Sequence, residues 1–133
     1  MSRPSPEDHV AISELLARYC VALDQDDLES CIALFTPDAV YEVYGRSFVG
    51  HDGVRKMMTG APGGLHLAGP PLVEMVDRDR ARTTQNLLFV DRTTGASRSA
   101  LYTDELHRTA DGWRFARRRC RFQVATGLSD RPA

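Results

Sequence analysis

The chain has 133 residues, 42% of them hydrophobic, a length that suits one compact domain. Its 17 basic and 18 acidic residues give a formal net charge of -1, which excludes a general polyanion binder and an acidic tail protein. The three cysteines form no CxxC pair, the N-terminal sequence lacks the apolar stretch of an export signal, and no apolar run is long enough to cross a bilayer. We therefore expect a cytoplasmic protein without a disulfide framework or a membrane span.

The first predicted element is a helix over about residues 6–23. Ser5 provides an N-cap hydroxyl, Pro6 suits the first helical position, and two carboxylates follow at the positive end of the helix dipole. One apolar stripe then recurs at three- and four-residue spacing, through Ile12, Leu15, Leu16, Tyr19 and Leu23.

A second, short helix is predicted after an acidic cap at Asp26 and Asp27. Its apolar face runs through Leu28, Cys31, Ile32 and Phe35 until Thr36-Pro37-Asp38 breaks it. Asp24 would then lie at the joint between two helices, where a side chain can point into whatever the helices cover.

A strand over 39–44 and a third helix complete the first half. Tyr41 and Val43 alternate with Val40 and Tyr44 in the strand, and the third helix begins at Gly50 and ends at Gly60. Val54, Met57 and Met58 share one face of this helix.

The second half predicts a sheet. Strand-like segments near 65–76, 80–91, 97–109 and 113–124 are separated by short links, a pattern typical of an antiparallel meander. Only the residues from Ser129 to Ala133 resemble a loose tail, so we expect one domain over 1–133 with its core at about 6–124. Helices followed by a sheet indicate the α+β class. The helices either seal flat against the strands or the sheet curls around a pocket, and large apolar residues mixed with a few polar ones favour the pocket.

The motifs of several common sites are absent from the sequence. The glycines at 60, 63 and 64 lack the GK[ST] ending of a phosphate-binding loop, and there is no GxSxG elbow. The four histidines are scattered and the cysteines unpaired, so we expect no metal site and no cofactor. The cysteines are interpreted as small core hydrophobes.

Five arginines lie in the segment from Arg114 to Arg121, beside Phe115 and Phe122. RNA contact is one interpretation of such a basic strand. Alternation along the strand splits the arginines between two faces, and carboxylates elsewhere can pair with them, so we favour structural ion pairs and expect no nucleic-acid partner.

His66 is the most informative histidine. In Leu65-His66-Leu67 the imidazole faces one side of the strand and both leucines the other. An acidic neighbour that accepts from one ring N–H leaves the second nitrogen as a proton acceptor, and Asp24 is the natural candidate. The plainer alternative is that Asp24 caps a turn, His66 is a half-buried histidine with satisfied hydrogen bonds, and the tyrosines are core residues.

The order of several segments resembles the nuclear transport factor 2-like superfamily, within it the SnoaL-like polyketide cyclase and scytalone dehydratase branch. The resemblance covers about residues 8–122. Its segments are Ile12-Ser13-Glu14-Leu15-Leu16-Ala17-Arg18-Tyr19, Leu23-Asp24-Gln25-Asp26-Asp27, Leu34-Phe35-Thr36-Pro37-Asp38-Ala39, Phe48-Val49-Gly50, His66, Tyr102-Thr103-Asp104-Glu105-Leu106 and Asp111-Gly112-Trp113-Arg114-Phe115.

The resemblance implies a cone-shaped α+β half-barrel, in which three N-terminal helices and a curved, largely antiparallel sheet enclose an apolar cavity. It also implies a homodimer formed through the sheet. Asp24 and His66 match the acid–base pair of the dehydratase branch. We therefore expect a cofactor-independent lyase, isomerase or cyclase, with the alternative of a non-catalytic domain that binds a small molecule or a protein.

The expected substrate is a mostly apolar cyclic small molecule, such as a polyketide- or steroid-like ketone. His66 would remove a proton next to its carbonyl, Asp24 would orient His66, and a tyrosine with Gln85 or Asn86 would donate to the enolate oxygen. The predicted substrate-binding residues are Tyr19, Tyr41, Met57, Met58, Gln85, Asn86, Phe89 and Tyr102.

Overall fold

The computed structural model describes residues 2–133, which form three helices packed on a single curved sheet. The helices are α1 (Pro6–Asp24), α2 (Leu28–Ile32) and α3 (Gly50–Gly60). The strands are β1 (Phe35–Val43), β2 (Arg46–Val49), β3 (Gly64–Ala68), β4 (Leu72–Asp77), β5 (Arg80–Asp91), β6 (Ser97–Thr109), β7 (Gly112–Val124) and β8 (Gly127–Ser129). The predicted α+β half-barrel is confirmed. None of the helices in this part of the chain is long and apolar enough to cross a membrane.

The sheet is mixed and has the strand order β2-β1-β7-β6-β5-β3. Strands β5, β6 and β7 form the predicted antiparallel meander, whereas β1 lies parallel to β7. The long β5 pairs with β4 through its first half and with β3 through its second half. Strand β5 therefore joins the centre of the sheet to β3, the strand that carries His66.

Helix α1 begins and ends close to its predicted bounds because its signals are local. The Ser5 hydroxyl accepts a hydrogen bond from the Asp8 backbone N–H at 3.1 Å, and Pro6 occupies the first turn. The predicted apolar stripe is buried, and Asp24 is the last residue of the helix.

Several boundaries differ from the predictions. Phe35 does not extend α2 but begins β1, because the pairing of β1 with β7 outweighs the local helical pattern. The predicted strand over 65–76 is two strands, since Pro70 and Pro71 have no N–H to donate to a ladder. Strand β2 was not predicted. Residues 127–129, beyond the predicted core, pair with β7 as β8.

The arginine-rich strand carries the expected structural ion pairs. Arg117 pairs with Glu42 on β1, Arg119 with Asp130, and Arg118 with Asp104 on β6. Three of the five arginines thus have a carboxylate partner on a neighbouring segment.

Gly64 permits the close approach of β3 to β5. A Cβ atom at this position would lie 2.1 Å from the Val90 carbonyl oxygen and 2.9 Å from the Phe89 ring. We expect Gly64→Ala to lower the free energy of unfolding by about 1–3 kcal/mol or more, because β3 must shift away from β5. Denaturant unfolding followed by circular dichroism measures this change.

Gly60→Ala is the matched control, since a Cβ atom there meets nothing within 4 Å. The control variant should be neutral or more stable, because alanine favours the helix. Equal losses of stability in the two variants would contradict the close approach at Gly64.

Candidate active site

A cavity of about 420 Å³ lies between the helices and the concave face of the sheet. Its wall is largely apolar and aromatic, with polar groups gathered at a few points, which is typical of a small-molecule site. The lining residues include Tyr19, Leu23, Tyr41, Tyr44, Met57, Met58, His66, Leu87, Phe89, Arg92, Arg98, Tyr102, Cys120 and Phe122.

Asp24 and His66 are in direct contact at one side of this cavity. The imidazole Nδ1 lies 2.7 Å from Asp24 Oδ1, and the side chains are 12% and 15% exposed, respectively. The backbone N–H of His66 also donates to the same carboxylate, 3.0 Å from each oxygen. The carboxylate therefore fixes both the main chain and the ring, and the tautomer that donates from Nδ1 leaves Nε2 as the basic nitrogen.

Arg92 is an exposed side chain that contacts the C-terminal end of α1. Its Nη2 donates to the Asp24 carbonyl oxygen at 3.0 Å, and its Nη1 lies 3.1 Å from Asp26 Oδ2. This contact satisfies a carbonyl at the C-terminus of α1, where the last turn contains no basic residue. Arg92 thus restrains the backbone that carries the Asp24 carboxylate.

Burial lowers the pKa of His66 below its ordinary value, and the hydrogen bond and charge of Asp24 oppose this shift. The net direction is downward, so the imidazole is neutral near pH 7. A neutral imidazole with a free Nε2 is the form that can accept a proton. Phe89 packs against the His66 ring, with a centroid distance of 4.8 Å, and restricts its position.

Three buried tyrosines form the polar part of the cavity wall. The hydroxyls of Tyr19 and Tyr41 are 2.8 Å apart, and the Tyr102 ring packs edge-on against Tyr19. Burial raises the pKa of all three hydroxyls, so they remain protonated and can donate hydrogen bonds.

A buried ion pair lies behind these tyrosines. Arg118 and Asp104 are both fully buried, with Nε and Oδ1 2.9 Å apart. The Arg118 guanidinium lies 3.6 Å from the Tyr102 ring centroid and 4.3 Å from that of Tyr19. It therefore packs against the faces of both tyrosine rings and places a positive charge beside them.

Six of the eight predicted substrate-binding residues meet at the cavity, together with His66. Tyr19, Tyr41, Met57, Met58, Phe89 and Tyr102 line it. Gln85 and Asn86 do not. Gln85 donates to the Gly69 carbonyl and accepts from Arg118, so its amide is already used, and Asn86 is exposed on the other face of β5. The expected donation from either amide to a substrate oxygen is therefore corrected.

Several cavity residues were not found from the sequence: Tyr44, Arg92, Arg98 and Cys120. For Arg98 and Cys120 strand alternation would have been the signal, but it needs the register of β6 against β5 and β7. Tyr44 and Arg92 lie in turns, where alternation gives no signal. Cys120 behaves as a small hydrophobe, because burial raises the pKa of its thiol to about 11. No group of three or more metal-ligating side chains occurs among residues 2–133.

The helices, the curved sheet and the enclosed imidazole–carboxylate pair define a protein built around a small-molecule cavity. The SnoaL-like domain family matches residues 4–119, and the chain belongs to this family. No curated protein matches the chain in sequence.

Solved structures with the same fold come from Novosphingobium aromaticivorans among other organisms. A putative aromatic ring hydroxylase is 26% identical, with a TM-score of 0.80 over 97% of this chain and 96% of that one. An NTF2-like protein with a cystatin-like fold is 27% identical, with a TM-score of 0.78 over 91% and 86%. A putative scytalone dehydratase is 22% identical, with a TM-score of 0.78 over 91% and 85%, a similarity that concerns the fold alone.

The buried ion pair generates a prediction about stability. Asp104→Asn leaves the Arg118 charge buried without a counterion, so the free energy of unfolding should fall by about 3–5 kcal/mol. Denaturant unfolding at neutral pH measures the loss.

Asp130→Asn is the control, since it removes the exposed partner of Arg119 and should cost less than about 1 kcal/mol. A loss for Asp104→Asn as small as that of the control would show that the buried pair contributes little.

Proposed function

We propose that the protein is a cofactor-independent enzyme of the isomerase, dehydratase or cyclase type. Its substrate is a mostly apolar cyclic molecule with a proton next to a carbonyl. The observation that carries this proposal is the 2.7 Å contact between Asp24 and His66 at the wall of an apolar cavity. A buried carboxylate–imidazole pair with one free ring nitrogen is a general base with a fixed orientation.

The first step is a proton transfer from the substrate carbon to His66 Nε2. The electron pair of the broken C–H bond moves into the carbonyl, forming an enolate, and the imidazole becomes an imidazolium. Asp24 stabilises this cation through the Nδ1–H hydrogen bond without taking the proton itself. The lowered pKa of His66 keeps the base unprotonated before the reaction and makes the imidazolium a good acid afterwards.

The hydroxyl network of Tyr19 and Tyr41 is the proposed donor to the enolate oxygen. Preorganised donors in a site from which water is excluded stabilise the developing charge. The Arg118 guanidinium lies against the Tyr19 and Tyr102 rings, and its positive charge also favours negative charge on the enolate oxygen.

The second half of the reaction depends on the substrate. Return of the proton from His66 to another carbon gives an isomer. Loss of a β-hydroxyl group, which takes the proton and leaves as water, gives a dehydrated product. Attack of the enolate carbon on a second carbonyl closes a ring, and the alkoxide formed from that carbonyl takes the proton back from His66. The family match and the fold shared with a putative scytalone dehydratase support this range of chemistry.

We also propose a homodimer formed through the outer face of the sheet. Leu65 and Leu67 are 50% and 59% exposed, on the side of β3 opposite His66. Their register partners on β5 are Val90 and Leu88, so these four residues form a continuous outer apolar patch. Exposed apolar patches of this kind favour protein–protein contact.

The chemical role of the pair predicts base-dependent hydrogen exchange. With 2-tetralone as a cyclic ketone probe in deuterium oxide, the wild-type protein should accelerate deuterium incorporation next to the carbonyl, followed by NMR. His66→Ala should lower the protein-dependent rate about 100-fold or more, because the general base is lost. Asp24→Asn should lower it as well, since the tautomer and the imidazolium lose their support.

The pH dependence has a defined sign. Only the neutral imidazole accepts a proton, so the rate should rise with pH through the pKa of His66, below its ordinary value, and level off before neutrality. In Asp24→Asn the inflection should move to still lower pH, because Asp24 opposes the effect of burial.

His107→Ala is the matched control, since His107 is exposed on β6 outside the cavity. It should keep the wild-type rate, and ligand-observed NMR should detect probe binding to all variants. Unchanged exchange in His66→Ala, or a wild-type rate no higher than that of buffer, would favour a non-catalytic binding domain.

The outer apolar patch predicts the oligomeric state. Leu67→Lys places a charge in the centre of the patch and should convert a dimer into a monomer in sedimentation velocity. Val10→Lys, an exposed position on α1, should leave the dimer intact. A monomeric wild-type protein at micromolar concentration would contradict the proposed interface.

A further inference from the structure

Arg98 is a charged side chain on the concave face of the sheet. In the register of β5 and β6 it lies directly opposite Phe89, and residues opposite each other in an antiparallel pair project to the same face. Phe89 faces the cavity and packs on His66. The next inward positions of β6 are Ala100 and Tyr102, so Arg98 stands where the cavity wall opens to solvent.

Arg98 makes no ion pair with a carboxylate within residues 2–133. The other arginine at this opening, Arg92, is neutralised by Asp26. Asp91 is close enough for a weak electrostatic attraction to Arg98, but its carboxylate accepts the backbone N–H groups of Thr93 and Thr94. The opening of the cavity therefore has a positive charge, on Arg98, that forms no direct ion pair with a carboxylate in the described part of the chain.

Tyr44 lies beside Arg98 and is itself held in a defined conformation. It has a left-handed backbone with φ of 58°, an unfavourable conformation for a bulky residue, and its ring stacks on Phe122 with centroids 5.5 Å apart. The Tyr44 hydroxyl interacts with the Arg98 guanidinium. The strained turn thus positions a hydroxyl donor beside the unpaired cation.

His66, Phe89 and Arg98 lie in one row across three adjacent strands. Two strand spacings separate the Cα atoms of the first and third residues, about 10 Å. A ring lying on Phe89 can therefore present one side to the imidazole and the other to the guanidinium.

We propose that the ligand of this cavity is an apolar ring compound bearing a carboxylate, with the carboxylate bound by Arg98 and the Tyr44 hydroxyl. This inference rests on the proposed use of the cavity as a small-molecule site and specifies its substrate class. Arginine binds a carboxylate through two parallel hydrogen bonds, which fixes the orientation of the ring as well as adding affinity. The carbon that loses its proton then lies on the side of the ring away from the carboxylate.

The test compares two probes of equal shape, 2-naphthoic acid and 2-naphthamide, by isothermal titration calorimetry at neutral pH. The wild-type protein should bind the acid about tenfold more tightly than the amide. Arg98→Gln should abolish this preference with the amide affinity unchanged, and Arg98→Lys should retain part of it. Lys56→Gln removes one exposed positive charge of α3 outside the cavity and should behave as the wild type.

Three results would overturn the inference: no saturable binding of either probe, equal affinity for the two, or a preference for the acid that survives in Arg98→Gln. A His66→Ala arm separates this inference from the proposed catalysis. The preference should persist in that variant whether or not the protein catalyses exchange, and its loss there would assign the carboxylate to the imidazole instead of Arg98.

Discussion

The contact on which the site depends is the single carboxylate that accepts from both the backbone and the ring of His66. Asp24 ends α1, and His66 lies in β3, so this contact joins the helical layer to the sheet across 42 positions of sequence. Because two bonds converge on one side chain, neither the strand nor the imidazole can rotate without losing a buried hydrogen bond. The orientation of the His66 imidazole therefore depends on the placement of α1 against β3 as well as on the His66 rotamer.

Polar groups are arranged in layers beneath the apolar surface of the cavity. The tyrosine hydroxyls come first, and Arg118 with Asp104 lies below them, fully removed from water. Gln85 and Thr83 complete this lower layer by hydrogen bonds to the ion pair. Such a layer is expensive to bury, and its partners must be correctly placed, so it holds the aromatic wall in one arrangement.

Local sequence signals predicted the elements that depend on local physics. The first helix was placed within one residue of its observed end, because its cap and apolar stripe are both contained in the segment. The start of β1 depends on pairing with the distant strand β7, and it was not predicted. The break between β3 and β4 has a local signal, Pro70-Pro71, which the prediction of one strand over 65–76 overlooked. The two central site residues were singled out by position and by the family resemblance. Their contact could not be derived, since it requires the end of α1 to lie beside β3. Asn86 failed because strand parity places it on the solvent face of β5. Gln85 faces inward like Leu87 and Phe89, but its hydrogen bonds to Gly69 and Arg118, which depend on distant segments, hold it in the interior network. Arg98 escaped notice because its face is known only once β6 is aligned with Phe89.

The position of His66 at the end of the strand order has a consequence for solubility. Strand β3 is hydrogen-bonded to β5 on one side, and on its other side the Asp24 carboxylate occupies the His66 N–H. A free strand edge of this kind is a template on which another chain can add a strand. The carboxylate that orients the imidazole therefore also blocks a site of intermolecular strand addition. Asp24 thus serves both the proposed chemistry and protection against aggregation.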